Sequence, residues 1–145
     1  MIRKIEEKDL RACADILCAA YEKAPYNEIF NEDSAYKYIL EKYHNCKNDS
    51  FVFCNDNSEI LGFIFLRLST WSNGPQVILE EIGVNPLNQN SGIGTKLMEY
   101  VNNYLNSLGV KSAMLWAKND ERLLHFYKKH GFSAADDFVV MFKNF

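Results

Sequence analysis

Residues 77–104 read V-I-L-E-E-I-G-V-N-P-L-N-Q-N-S-G-I-G-T-K-L-M-E-Y-V-N-N-Y. The apolar run around Val77 to Val84 reads as a buried strand, and Asn85-Pro86 announces a turn. A polar loop from Gln89 to Thr95 carries Gly92 and Gly94. Beyond it, Ile93, Leu97, Val101, Tyr104 and Leu108 fall at helical spacing, and Gly109 is placed to stop that helix. The start of such a helix presents backbone N–H groups without intrahelical acceptors, and the positive end of its dipole adds to them. Together they make a phosphate cradle. Glu80 and Glu81 stand in the strand just upstream, so a carboxylate precedes the cradle.

Outward from this stretch the chain alternates strands and helices. Ile2 to Ile5 suits a short first strand. Leu10, Cys13, Leu17 and Ala20 are spaced for a helix ending near Tyr21, and Pro25 bars its continuation because proline disfavours helix in the preceding residue. Pro25 to Phe30 is an aromatic-bearing loop. Asn31, Asp33 and Ser34 are candidate caps for a second helix carrying Ala35, Ile39 and Tyr43. Phe51 to Cys54 and Ile60 to Leu68 read as an antiparallel hairpin around Asn55-Asp56-Asn57-Ser58. After the long helix, Ala113 to Ala117 reads as a strand. Asp120 can cap a last helix over Glu121 to Lys129, which Gly131 ends, and Phe138 to Phe142 reads as a closing strand. No repeat or linker divides residues 1–145, so a single α/β domain is expected.

Composition narrows the function classes. The chain has 145 residues, 48% of them hydrophobic and 24% charged, with a net charge of −3. That suits one domain able to bury a core. The acidic balance and the lack of a Lys/Arg run argue against nucleic-acid or anionic-membrane partners. Cys13, Cys18, Cys46 and Cys54 lack paired spacing, and His44, His125 and His130 lack metal-ligand spacing, so no metal is expected. No secretory signal and no bilayer-length apolar run stand out, which makes a reducing cytoplasm the expected compartment.

Which phosphate ligand the loop serves is narrowed by elimination. A dinucleotide fingerprint needs a third glycine where Leu97 stands, and a Walker loop needs Gly-Lys-Ser/Thr where Thr95 precedes Lys96. The segment Gln89-Asn90-Ser91-Gly92-Ile93-Gly94 instead resembles the Q/R-x-x-G-x-G/A motif of the GNAT superfamily of acetyl-CoA-dependent N-acetyltransferases. It follows a strand and a Pro-containing turn, as in that family. A second family signature is similar to N-D-E-R-L-L-H-F-Y-K-K-H-G-F, Asn119 to Phe132. The likeness is strongest from Leu79 to Phe132. Gln89 stands where arginine is commoner and removes one fixed positive charge. Asp120 stands where the family's asparagine aligns, leaving Asn119 one residue early.

The resemblance implies a mostly antiparallel mixed α/β sheet whose middle strands splay, flanked by helices, with acetyl-CoA as cosubstrate in the opening. It implies that the backbone of Ile82-Gly83-Val84 holds the pantetheine arm, through Ile82 and Val84. Gln89, Asn90, Ser91, Gly92, Ile93, Gly94 and Thr95 would hold the pyrophosphate, with Asn119 and Asp120 at the start of the last helix nearby. Tyr127 matches the family tyrosine that protonates the departing thiolate, and a phenol with a pKa of about 10 remains a donor at neutral pH. An alkylammonium, also with a pKa of about 10, must lose a proton before it attacks a thioester. Glu80 is the candidate base, provided burial raises its pKa, and a candidate contact for the substrate ammonium. Strand alternation puts Glu81 on the other face. Tyr26, Phe30 and Trp71 are candidates for the acceptor pocket.

The expected activity is therefore acetyl transfer to a primary amine by direct attack in a ternary complex, with a backbone amide at the splay stabilising the oxyanion. A small-molecule acceptor is favoured by the modest size. A polyamine, an amino sugar, an amino acid and a protein N-terminus or lysine all fit the sequence. The competing readings are an acyl-CoA sensor of the same fold, an enzyme using another acyl-CoA, and a protein-interaction domain. The family resemblance also admits a homodimer.

Overall fold

The computed structural model describes residues 1–145. Five strands form one sheet in chain order: β1 (Ile2–Lys4), β2 (Phe51–Cys54), β3 (Ile60–Trp71), β4 (Gly74–Val84) and β5 (Ser112–Met114). Neighbours from β1 to β4 are antiparallel, and β4 pairs with β5 in parallel. The helices are α1 (Leu10–Tyr21), α2 (Glu32–Cys46), α3 (Ile93–Ser107) and α4 (Glu121–Lys129). This is the mixed, mostly antiparallel α/β sheet expected from the sequence. No helix is long and apolar enough to cross a membrane.

Alternation along the strands sends side chains to two separate cores. Val52, Cys54, Phe63 and Phe65 meet Leu10, Cys13, Leu17, Ala35 and Ile39 of α1 and α2 on one face. Phe51, Ile64, Leu66, Val77 and Leu79 meet Ile93, Leu97, Met98, Val101 and Leu105 of α3 on the other. The buried stripe of α3 thus differs from the expected one at its end. Leu105 is buried, while Leu108 is exposed and Tyr104 turns its hydroxyl to Asp49 Oδ1 at 2.5 Å.

The helix signals read from the sequence act as anticipated. Asn31 caps α2 by accepting from Ser34 N at 2.8 Å, and Asp120 caps α4 by accepting from Leu123 N at 3.1 Å. Gly109 follows α3 with φ +69°, a conformation that costs glycine nothing.

Three strand expectations need correction. β3 runs beyond Leu68 to Trp71, because the turn Ser72-Asn73 lets Trp71 pair directly with Gly74. β5 stops at Met114 instead of Ala117, since only Ser112–Met114 finds a partner on β4. The closing strand at Phe138 to Phe142 does not form. Its residues have no ladder partner, and Phe138, Val139, Val140, Met141 and Phe142 are exposed. Apolar, β-prone composition gives a segment the capacity for a strand, but an adjacent edge in register must supply the hydrogen bonds.

Candidate active site

The site begins where β4 and β5 part. β5 lies against β4 only at Gln76–Ile78, so Leu79–Val84 has no strand on that side. Asn85 N–H donates to Leu61 O at 2.9 Å, Gly83 faces Phe63, and Glu81 faces Phe65. Hydrogen-bonded pairs recur at every second residue of an antiparallel ladder. Residues 81 and 83 therefore direct their backbone groups to β3, while Ile82 and Val84 present theirs to the opening. Gly83 lies between them, flat against Phe63. A Cβ there would stand 2.5 Å from Phe63 Cε1, so no side chain fits without displacing the ring.

At the end of this edge lies the cradle. Gly92 precedes α3 with φ +80°, and Asn90 also has positive φ, +65°. No side chain caps the helix. Lys96 N–H makes the first helical bond, to Gly92 O at 2.9 Å, and Ser91 N–H reaches back to Asn88 O at 3.4 Å. The N–H groups of Asn90, Gly92, Ile93, Gly94 and Thr95 are left without an acceptor in the chain. Such a cluster at a helix N-terminus suits a bound anion. Gln89, Asn90, Gly92, Ile93, Gly94 and Thr95 all border one cavity of about 410 Å³, together with Ile82, Gly83 and Val84. Ser91 does not border it, and its hydroxyl donates to Asn88 O. Asp120 borders the cavity, whereas Asn119 faces a separate surface depression at the start of α4.

Sequence reasoning missed a cation here. Arg122 of α4 borders the same cavity and donates from Nη2 to Asn90 Oδ1 at 3.2 Å. It restores a positive charge beside the cradle, which Gln89 does not carry. The signal lay in the first turn of α4, where Arg122 follows the cap Asp120 by two positions.

The two glutamates depart from the simple strand pattern. The β3–β4 register shifts between Phe65 and Leu66: Leu66 faces Leu79 and Phe65 faces Glu81, leaving Glu80 as an extra residue. Such a bulge breaks the alternation. Both carboxylates consequently turn towards α2, and the expectation that Glu81 points to the other face is overturned. Glu80 is held by Lys42 Nζ and Arg67 Nε, each at 2.6 Å. Burial pushes its carboxyl up, but the hydrogen bonds and charges of Lys42 and Arg67 outweigh this and hold it below the ordinary carboxylate value. The raised pKa on which the Glu80 assignment depended is thus absent.

Glu81 has that raised pKa. Burial drives it up and outweighs three donors, the hydroxyls of Tyr38 and Tyr21 and the Ile82 N–H. Tyr38 and Tyr21 donate to Oε2 at 2.9 and 3.1 Å, and Ile82 N–H reaches Oε1 at 3.3 Å. Tyr21 itself borders the cavity, so the Glu81 carboxyl communicates with that space through one hydroxyl.

Aromatic rings build the rest of this wall. Tyr26 borders the cavity and stacks on Tyr21, with ring centres 4.3 Å apart. Phe30 lies behind, edge-on to Tyr21 at 5.6 Å and against Tyr38 at 6.2 Å. Trp71 is exposed at the tip of the β3–β4 hairpin and does not border the cavity. Tyr127 does, with only 9% of its surface exposed. Burial first, then the nearby Tyr26 and Glu81, pushes its phenol up, so it stays protonated well past neutrality. Edge-on contacts with Phe126 and Phe132, at 5.3 and 6.0 Å, fix the ring.

Residues 10–132 match the model of the acetyltransferase (GNAT) family. A possible acetyltransferase from Clostridium difficile 630 is similar in structure, with a TM-score of 0.83 at 14% identity, covering 100% of this chain and 97% of that one. An aminoglycoside acetyltransferase from an uncultured soil metagenomic sample, solved with sisomicin, gives a TM-score of 0.71 at 20% identity, covering 100% and 95%. A transcriptional regulator from Bacillus halodurans C-125 gives 0.77 at 19% identity, covering 99% of each chain. By sequence, no curated protein matches the chain.

Proposed function

The chain belongs to the acetyltransferase (GNAT) family, and from that premise we propose that it transfers an acetyl group from acetyl-CoA to a primary amine of a small molecule. The observation that carries the reading is the continuity of two backbone surfaces that have no strand or helical partner. The free edge at Ile82 and Val84 leads directly into the unpartnered amides at the start of α3, along one cavity. An extended amide-containing arm ending in a pyrophosphate is complementary to that sequence of groups. Arg122 adds a charge suited to phosphate. The residues present therefore fit acetyl-CoA, which when bound supplies the activated thioester.

The ammonium of the acceptor gives its proton to the Tyr21 oxygen as the Tyr21 proton passes to Glu81 Oε2. The freed amine nitrogen would bond to the acetyl carbon as the carbon–sulfur bond breaks, and would shed its second proton to become the amide. Ile82 N–H is a candidate donor to the carbonyl oxygen, since its contact to Glu81 Oε1 is long at 3.3 Å and yields to a stronger acceptor. Tyr127 would give its proton to the departing sulfur and be restored by the proton the nitrogen sheds, so that the one net proton released is the one on Glu81. Glu81 thus takes the role of base for which Glu80 is the first candidate by sequence, and Glu80 holds α2 to the sheet. The buried free thiols of Cys13, Cys46 and Cys54 suit a reducing cytoplasm.

Calorimetry with CoA and a thiol-release assay over a panel of amines test the reading. CoA binding together with amine-dependent thiol release is expected. CoA binding with no release for any amine would favour the sensor alternative, and absence of CoA binding would overturn both.

A further inference from the structure

Two parts of the chain are left without a partner. Phe138, Val139, Val140, Met141 and Phe142 are between 62% and 91% exposed and join no ladder. β5 is the last strand of the sheet, so its side away from β4 presents backbone groups that no strand meets. Proteins that act as single copies rarely leave so long an apolar run in water, and a free strand edge is a template for another strand.

The segment and the edge match in pattern, length and charge. Phe138–Phe142 is apolar at every position, which is the pattern of a strand covered on both faces. The edge is apolar on both faces as well. Ala113 lies beside Val77 on the α3 side, and Leu115 packs on that core. Met114 lies beside Ile78 on the opposite face, 44% exposed, and Trp116 beyond it is 81% exposed. The apolar run Ala113–Ala117 has the same length as Phe138–Phe142. Laid antiparallel, the two runs bring Asp137 opposite Lys118, whereas a parallel arrangement brings Lys143 there. Neither Asp137 nor Lys118 makes an ion pair in the chain, so opposite charges favour the antiparallel pairing.

Both halves of this match belong to one chain, yet within the chain they form no ladder. Each copy therefore carries one donor strand and one acceptor edge, and a two-fold pair satisfies both at once. We propose that two copies of the chain pair by exchange, each adding Phe138–Phe142 as an antiparallel strand to the free edge of β5 in the other. The added strand lengthens β5 towards Ala117 and covers Met114 and Trp116. None of these residues borders the cavity, so the pairing stands independently of the acetyl-transfer reading.

The test is the mass of the full chain in solution by light scattering, with hydrogen exchange of residues 113–117 measured on the same samples. A mass near twice the 16.8 kDa of one chain is expected, with slow exchange along β5. Val140→Pro removes a donor from the middle of the added strand at a position the single copy leaves exposed. It should weaken pairing at least about hundredfold and speed exchange at residues 113–117, with the far-ultraviolet spectrum of the helices unchanged. Truncation after Asp137 should give the same single copy by a route that adds no proline. A single copy for the unaltered chain overturns the proposal, including one whose β5 amides exchange slowly because the segment folds back on its own edge. So does a pair that survives both variants, or one whose loss leaves exchange along β5 unchanged.

Discussion

Glu80 and Glu81 are adjacent on one strand, and the structure gives them opposite electrostatic lives. Glu80 lies between Lys42 and Arg67, with both oxygens engaged by cations at 2.6 Å. Glu81 lies deeper, with two phenol hydroxyls and one backbone amide for company and no cation in hydrogen-bond contact. Both carboxyls are partly withdrawn from water. Depth and partner set together separate them: two cations outweigh a modest desolvation at Glu80, whereas hydroxyl and amide donors fall short of a much deeper burial at Glu81. A carboxylate locked to cations is a weak proton acceptor and a structural tie. One raised towards neutrality by burial is suited to accept a proton from an ammonium.

The sharpest way to break this comparison is to remove each carboxylate in turn. Glu81→Gln should lower kcat by about a hundredfold to a thousandfold near neutral pH, the span expected for a lost general base. The deficit should shrink as the pH approaches about 10, where the amine is deprotonated without help. Glu80→Gln should leave kcat within about threefold, because its partners are side chains of the scaffold and not of the cavity wall. Steady-state rates across pH decide the matter. A collapse in Glu80→Gln with near-normal Glu81→Gln would exchange the two assignments.

The two tyrosines on Glu81 sharpen it further. Both hydroxyls favour the ionised carboxylate, so removing either raises the Glu81 pKa further and moves the acidic limb of the kcat/KM profile to higher pH. Only Tyr21 borders the cavity. Tyr21→Phe should therefore also lower the plateau, by about tenfold or more, since the path for the proton is cut. Tyr38→Phe should shift the limb and keep the plateau. Equal plateaus in the two variants would mean that the proton reaches Glu81 by another route. Tyr127→Phe offers an intermediate check. It should slow turnover by about tenfold or more while CoA affinity stays unchanged.

Why the sequence pointed to Glu80 follows from the bulge. Alternation predicts opposite faces for adjacent residues, and it holds from Val77 to Leu79 and again from Glu81 to Val84. The extra residue between them is set by the pairing of Leu66 with Leu79 and Phe65 with Glu81, a property of two strands together. Nothing within β4 alone announces it. The cradle was legible for the opposite reason: its amides belong to one contiguous segment, and the glycines and helix start encode them locally. Asp120 as a cap was likewise readable from its own neighbourhood. Arg122 beside Asn90, and Tyr21 and Tyr38 converging on Glu81, join residues 32, 60 and 43 positions apart, so only the fold brings them together. The segment from Phe138 to Phe142 shows the limit from the other side, since strand-like composition found no ladder.

The smallest expected effect is on stability, and its sign differs between the two residues. Glu80 has a folded-state pKa below its ordinary 4.5, so its contribution is present above that value and fades as the pH falls through the folded pKa. The pairs are partly exposed, Arg67 at 44% and Lys42 at 23%, so solvent screening limits Glu80→Gln to about 1 kcal/mol or less of destabilisation at neutral pH. Glu81 has a folded-state pKa above 4.5, so its favourable contribution is complete below that value and is lost as the pH rises through the folded pKa. Glu81→Gln removes an ionisable group that the folded chain prefers to keep neutral. Its melting temperature relative to the unaltered chain should therefore improve with rising pH, while that of Glu80→Gln improves with falling pH. Thermal melts of the two variants between pH 3 and 8 read these slopes directly. Parallel slopes would mean that the carboxylates share one environment, and the division of labour along β4 would fail with them.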